Sequence, residues 1–225
     1  MIVVKRGKEP NSLLRFRKEN PEADYESVMP TNVLKDIREQ MWEEQRCLCA
    51  YCMRKIDAPS VVRIEHCRPR HPMDEQEHDK KATLDFKWML GVCYGNSLVR
   101  GVKPEDKTCD AHRGNTELTV NPFDEMSVRK IKYKVDGSIY SDDAEINKDV
   151  TETLNLNCQA LSLPQTRKNV LMAEKNRIIR KCKGKSQDAF MRELERTYAS
   201  LVQERNLTPY CGIIISWLES KLNIS

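Results

Sequence analysis

The spacing of four cysteines limits this chain more than any other feature. Cys49-Ala-Tyr-Cys52 is a C-x-x-C knuckle, and Cys93 and Cys109 follow further along. Two pairs of thiolates aimed at one point suit a structural zinc, which takes four soft ligands in a tetrahedron. Cys93 and Cys109 stand sixteen positions apart, so residues 95–107 must loop out and return before both can reach one ion. Competing ligands are present: Cys47 forms C-x-C with Cys49, Cys109-x-x-His112 is itself a ligand pair, and Cys67 adjoins His66. A disulfide framework is not the expectation. The nine cysteines are odd in number, the chain is 225 residues long, and Met1-Ile-Val-Val-Lys5-Arg6 has neither an apolar leader nor a small-residue cleavage site. Cys158, Cys182 and Cys211 are scattered through helical sequence and read as buried apolar thiols.

With 39% hydrophobic and 32% charged residues the chain can bury a core and is expected to be globular. Its longest apolar run, residues 211–218, is too short to span a bilayer, so no membrane role and a cytoplasmic location are expected. The formal charge of +4 permits nucleic-acid binding without requiring it. Distribution says more than the sum. Arg63, Arg68, Arg70 and His71 crowd the dipeptide Glu65-His66, and residues 167–185 form a second basic cluster.

Periodicity places the motifs on an α+β, mostly helical frame. Residues 1–46 read as an extended arm, a short helix over 12–18 and a helix over 32–45 capped by Thr31, the arm either packed on its own core or docking a partner. Residues 47–125 form the motif-bearing core. There we expect a hairpin over 53–65 turning at Asp57-Ala-Pro59-Ser60, a charged loop over 73–81, a helix over 83–92 capped by Thr83, and a tight turn or short helix over 109–115. Residues 126–142 read as a β-hairpin with a type I′ turn at Asp136-Gly137. Residues 143–225 read as helical, over 145–154, 164–182, 187–204 and 210–221, with no set that argues catalysis.

Glu65-His66 invites a chemical reading. On a regular strand the two side chains would face opposite ways, but a turn at the strand end would let Glu65 hold a metal while His66 meets the substrate. A neutral imidazole can take a proton from water, and a hard cation can stabilise charge developing on a phosphate. Arg63, Arg68 and Arg113 would then grip phosphate.

The order C-x-x-C, Glu65-His66, Cys93, then Cys109-Asp110-Ala-His112-Arg113-Gly114 resembles the HNH endonuclease family, whose ββα-metal finger carries a base histidine and hard-metal ligands. The resemblance implies Glu65 and Asp110 as Mg²⁺ or Mn²⁺ ligands, His66 as general base, and Cys49, Cys52, Cys93 and Cys109 on a structural Zn²⁺. The family's middle Asn, expected five positions before the third cysteine, is Trp88 here. Val4-Lys-Arg-Gly-Lys-Glu-Pro10, Cys93-Tyr-Gly-Asn96 and Leu118-Thr-Val-Asn-Pro-Phe-Asp124 make the chain similar, over roughly residues 1–140, to the PtuB-like nucleases of Septu and retron antiphage systems. That likeness implies a toxic effector acting on DNA or tRNA. It would be held by a PtuA-like ABC/SMC-type ATPase and, in retrons, by a reverse transcriptase with its multicopy single-stranded DNA. The rival reading is a zinc-binding nucleic-acid or adaptor module without catalysis, which Trp88 favours.

Overall fold

The computed structural model describes residues 1–27, 29–68, 81–203 and 207–224; Arg70, His71 and most of the charged loop read over 73–81 lie outside them. Among the described residues two small antiparallel pairs and eight α-helices make an α+β fold that is about 49% helical.

The first pair carries the motif region. β1 (Arg63–His66) pairs with β2 (Met89–Val92), with Arg63 opposite Val92 and His66 opposite Met89. This corrects two expectations. Residues 53–65 form no hairpin, because Pro59 starts a single 3₁₀ turn over Pro59–Val61 and the local pairing stops at a Leu48–Lys55 bridge. Residues 83–92 are not one helix either. The Asp85 carboxylate accepts the Lys87 N–H and caps a 3₁₀ turn over Phe86–Trp88, after which all four residues of β2 are buried. A run enclosed on both faces suits a covered strand. Gln45 fixes β2 from the other side, accepting the Gly91 N–H at 2.7 Å and donating to its carbonyl at 2.6 Å.

α2 (Thr31–Glu44) packs on β2, and α1 (Asn11–Glu19) packs on α2. Val33, Ile37 and Met41 recur at helical spacing on the buried face of α2, and the Trp42 indole donates to the Ile56 carbonyl at 2.7 Å. α2 follows Pro30 directly, so Thr31 is its first residue and not its cap. The arm packs on the chain's own core: Val4 N–H donates to the Pro122 carbonyl at 2.9 Å, and Arg6 lies over the rings of Phe86 and Phe123.

α3 (Asp110–Arg113) is one turn, and α4 (Glu125–Arg129), capped by Asp124, takes residues expected in the strand that follows. β3 (Ile131–Tyr133) and β4 (Ile139–Ser141) form the second pair. Their turn is not type I′. Lys134 N–H reaches the Ser138 carbonyl, Gly137 N–H reaches the Lys134 carbonyl, and positive φ falls on Gly137 alone, which makes a three-residue loop. Gly137 is required twice over, since a Cβ there would meet the Pro164 carbonyl at 1.9 Å.

α5 (Ala144–Lys148) runs into a π-helical turn over Asp149–Thr153. α6 (Leu163–Cys182), α7 (Gln187–Gln203) and α8 (Gly212–Leu222) then close the chain. Leu171, Ile178, Leu194, Ile214 and Leu218 pack with Leu48 and Met53 of the knuckle region, and Tyr210 N–H donates to the Met53 carbonyl at 2.9 Å. The helical region therefore buttresses the cysteine knuckle. Among the described residues no helix is long and apolar enough to cross a membrane.

Candidate metal centre and the adjoining cleft

The knuckle is a tight turn. Cys49 N–H donates to the Arg54 carbonyl, Met53 N–H returns to the Cys49 carbonyl, and Ala50 N–H ties the turn to Gly91 of β2. β2 runs on into Cys93. The expected excursion then leaves and returns, closed at its neck where Thr108 N–H donates to the Gly95 carbonyl at 3.0 Å. Gly95 has φ +52°, and a Cβ there would lie 2.0 Å from the Thr108 carbonyl oxygen, so only glycine fits the neck.

This closure brings Cys49, Cys52, Cys93 and Cys109 together, with all four sulfurs within 4.8 Å of one another and all four residues buried. Three of the separations are 3.9, 3.7 and 3.8 Å. Thiolates about 2.3 Å from a common ion at the tetrahedral angle stand about 3.8 Å apart. The cluster can hold a metal ion such as zinc. Hydrogen bonding with Cys109, Cys49 and Cys52 holds the Cys93 thiol well below the usual range. The alternative ligands are elsewhere. His112 Nδ1 meets the Thr153 carbonyl at 3.0 Å, Cys67 lies 4.0 Å from the Asn121 side chain, and Cys47 is outside the group.

Tyr51, between the two knuckle cysteines, links this centre to the carboxylates. Its hydroxyl donates to Glu65 Oε1 at 3.2 Å and accepts from Arg113 at 3.2 Å. Burial pushes the Glu65 carboxyl up to about 8, and a hydrogen bond with Asp110 pushes the same way against the pull of Arg113. β1 and the start of α3 thus bring the two expected carboxylates together. Each has an arginine: Arg113 pairs with Glu65, and Arg63 with Asp110.

Arg113 does not have the part expected of it. Only 3% of the residue is exposed, and beyond Glu65 its guanidinium donates to the carbonyls of His66, Cys67 and Thr116 at 2.8, 2.9 and 2.7 Å. Those bonds use the nitrogens that a phosphate would need, so Arg113 orders the end of β1 and is no phosphate grip. Neither Tyr51 nor this use of Arg113 was found by sequence reasoning. A tyrosine inside a C-x-x-C, held under the structure, was the available signal.

His66 faces away from Glu65. Pairing continues through His66 opposite Met89 and on to the bond from Cys67 N–H to the Trp88 carbonyl, so the strand keeps its pleat and the expected turn at position 66 is absent. Its Nε2 lies 2.8 Å from the Thr83 carbonyl, and Tyr25 packs edge-on against the ring at 4.6 Å. A carbonyl can only accept, so Nε2 carries the proton and the lone pair of the neutral ring is on Nδ1. Arg68 is exposed and stacks at 4.2 Å on Trp88, the residue at the expected Asn position. A cleft of about 340 Å³ is walled by Arg63, Glu65, His66, Lys107, Asp110 and Arg113. It offers two oxygen ligands of the kind a hard divalent cation takes, set among basic side chains.

No protein-family model matches the chain, and no curated protein matches it.

Proposed function

We propose that the chain is a metal-dependent nuclease of the HNH type that hydrolyses phosphodiester bonds of DNA or RNA. The observation that carries this reading is the meeting of Glu65 and Asp110 across β1 and α3, in a cleft pinned by four clustered cysteines. In this reading the cysteines hold a structural zinc, and β1, β2 and α3 correspond to the ββα-metal finger. Glu65 and Asp110 hold one Mg²⁺ or Mn²⁺, which when bound would neutralise charge developing on a phosphate. His66 lies on the other face of β1 from Glu65, so the base role implied for it requires the end of β1 to turn its ring toward the two carboxylates when substrate binds. Arg63 turns from Asp110 to the phosphate as the cation arrives, and Arg68, splayed on Trp88, holds a neighbouring one. The resemblance to PtuB-like proteins supports the wider setting. That setting is a cytoplasmic toxic effector of a Septu or retron system, restrained by a PtuA-like ABC/SMC-type ATPase and, in retrons, by the reverse transcriptase with its multicopy single-stranded DNA.

The second reading, a zinc-binding nucleic-acid or adaptor module, is favoured by one observation: Arg113 and Arg63 already pair with both carboxylates that a metal ion would need. One experiment separates the two. The full chain, alone and with a PtuA-like ATPase, is incubated with plasmid, single-stranded DNA and total tRNA, with Mg²⁺, Mn²⁺ or EDTA. Metal-dependent fragments that disappear in His66→Ala and Glu65→Gln, with zinc content unchanged, support the nuclease. Shifted but intact substrate in every lane, or full cutting by His66→Ala, refutes it.

A further inference from the structure

The cleft leaves unused the strongest concentration of positive charge in the chain. Residues 163–203, which form α6, α7 and the turn between them, hold ten Lys and Arg against four Asp and Glu, more net positive charge than the formal +4 of the whole chain. The fold gathers much of it on one face. Two neighbouring concavities of about 370 and 400 Å³ share Lys181, Glu193 and Arg196; Arg177 lines the first, and Lys185 and Arg192 the second. Glu193 is buried, and Arg177, Lys181 and Arg196 all converge on its carboxylate. Glu193, with Glu174 also holding Arg177 at 2.7 Å, thus orients three cations toward the surface. Lys185 and Arg192 are exposed and make no ion pair among the described residues, and the same holds for Arg180 and Lys183.

We infer that this α6–α7 face is a second polyanion site, which binds the phosphate backbone of a nucleic acid away from the cleft. A solvated helix hairpin usually balances its charges, whereas here five cations and two carboxylates, Glu174 and Glu193, line the two concavities. Arg177 to Lys181 and Arg192 to Arg196 are each four residues apart, a helical step of about 6 Å. Such a row suits a ligand with repeating charge better than a single carboxylate or phosphate. The inference does not depend on the nuclease reading, because binding needs no cleavage.

The test measures binding by fluorescence anisotropy of the full chain carrying His66→Ala, without added divalent cation, from 50 to 200 mM salt. The probes are a 20-base-pair duplex, a 20-nucleotide single strand, a tRNA and a polyglutamate of similar length. Lys185→Glu/Arg192→Glu should weaken binding of the nucleic acids at least ~10-fold at 100 mM salt, and should lower the salt slope by about 2 for the duplex, at ~0.9 per phosphate contact. Lys185→Gln/Arg192→Gln should give about half that loss. Lys18→Glu/Lys35→Glu, an equal charge change at exposed positions on α1 and α2, should bind as the parent does. Unchanged binding by the α6–α7 variants, an equal loss in the α1–α2 control, or equal affinity for polyglutamate would each overturn the inference.

Discussion

Arg113→Met tests whether this arginine is a structural brace or a ligand for substrate. The substitution keeps much of the side-chain volume and removes the guanidinium from a residue that is 3% exposed. It leaves the Glu65 carboxyl beside Asp110 without its cation, and the carbonyls of His66, Cys67 and Thr116 without their donors. Removing the guanidinium from a buried pair and from three carbonyls costs about 3–5 kcal/mol, because each acceptor left unsatisfied in the interior carries its own penalty. For a chain of this size, at about 2–4 °C per kcal/mol, the melting midpoint should fall by roughly 6–20 °C. A solvated phosphate-binding arginine would cost about 0.5 kcal/mol or less. Melts followed by circular dichroism, with zinc content checked before and after, distinguish the two. A variant that melts within about 2 °C of the parent would refute the brace.

Three further outcomes follow from the same geometry. Cys93→Ser should lose stoichiometric zinc by elemental analysis, whereas Cys47→Ser and His112→Ala should keep it, since neither side chain joins the cluster. Tyr51→Phe, which removes the hydroxyl between Arg113 and Glu65, should cost about 1–3 kcal/mol in urea unfolding; no measurable change would sever the link between knuckle and carboxylates. The Glu65 carboxyl, raised from 4.5 to about 8, binds its proton more tightly in the folded chain than in the unfolded one. Its contribution is therefore fully present below about pH 4.5 and is lost as pH rises to about 8, so Glu65→Gln should flatten the fall in stability over that window, measured without divalent cation.

The four-cysteine cluster was legible because the spacing of such residues is a local property that carries its own geometric demand. Cys49 and Cys52 needed only a turn, and Cys93 and Cys109 only a loop that comes back, which the contact between Gly95 and Thr108 supplies. The long helices were legible for a similar reason: α6 and α7 begin and end within a residue of the positions their apolar periodicity marks. What failed was partner choice. A short apolar run such as residues 89–92 reads equally as a helix end or a buried strand, and the choice belongs to β1 and Gln45, both distant in sequence. The same distance hid the role of Arg113, whose acceptors lie 46 to 48 positions away except for Thr116 and Tyr51. A residue type that suits phosphate equally suits a cluster of buried carbonyls, and only burial decides.

The cysteine cluster and the carboxylates are better regarded as one unit than as a staple beside a site. Tyr51 is placed by the two cysteines that flank it, and its hydroxyl bridges Arg113 and Glu65. Cys109 is placed by its bond to Leu154, and the next residue is Asp110. Both carboxylates are therefore anchored, one through a single hydroxyl and the other through a single peptide, to sulfurs whose positions an ion would fix. Loss of that ion would release Tyr51 and the start of α3 together. Glu65, already raised by burial and by Asp110, would then have less to offset the cost of its charge. Metal loss at the cysteines should thus disable the cleft in any activity it has.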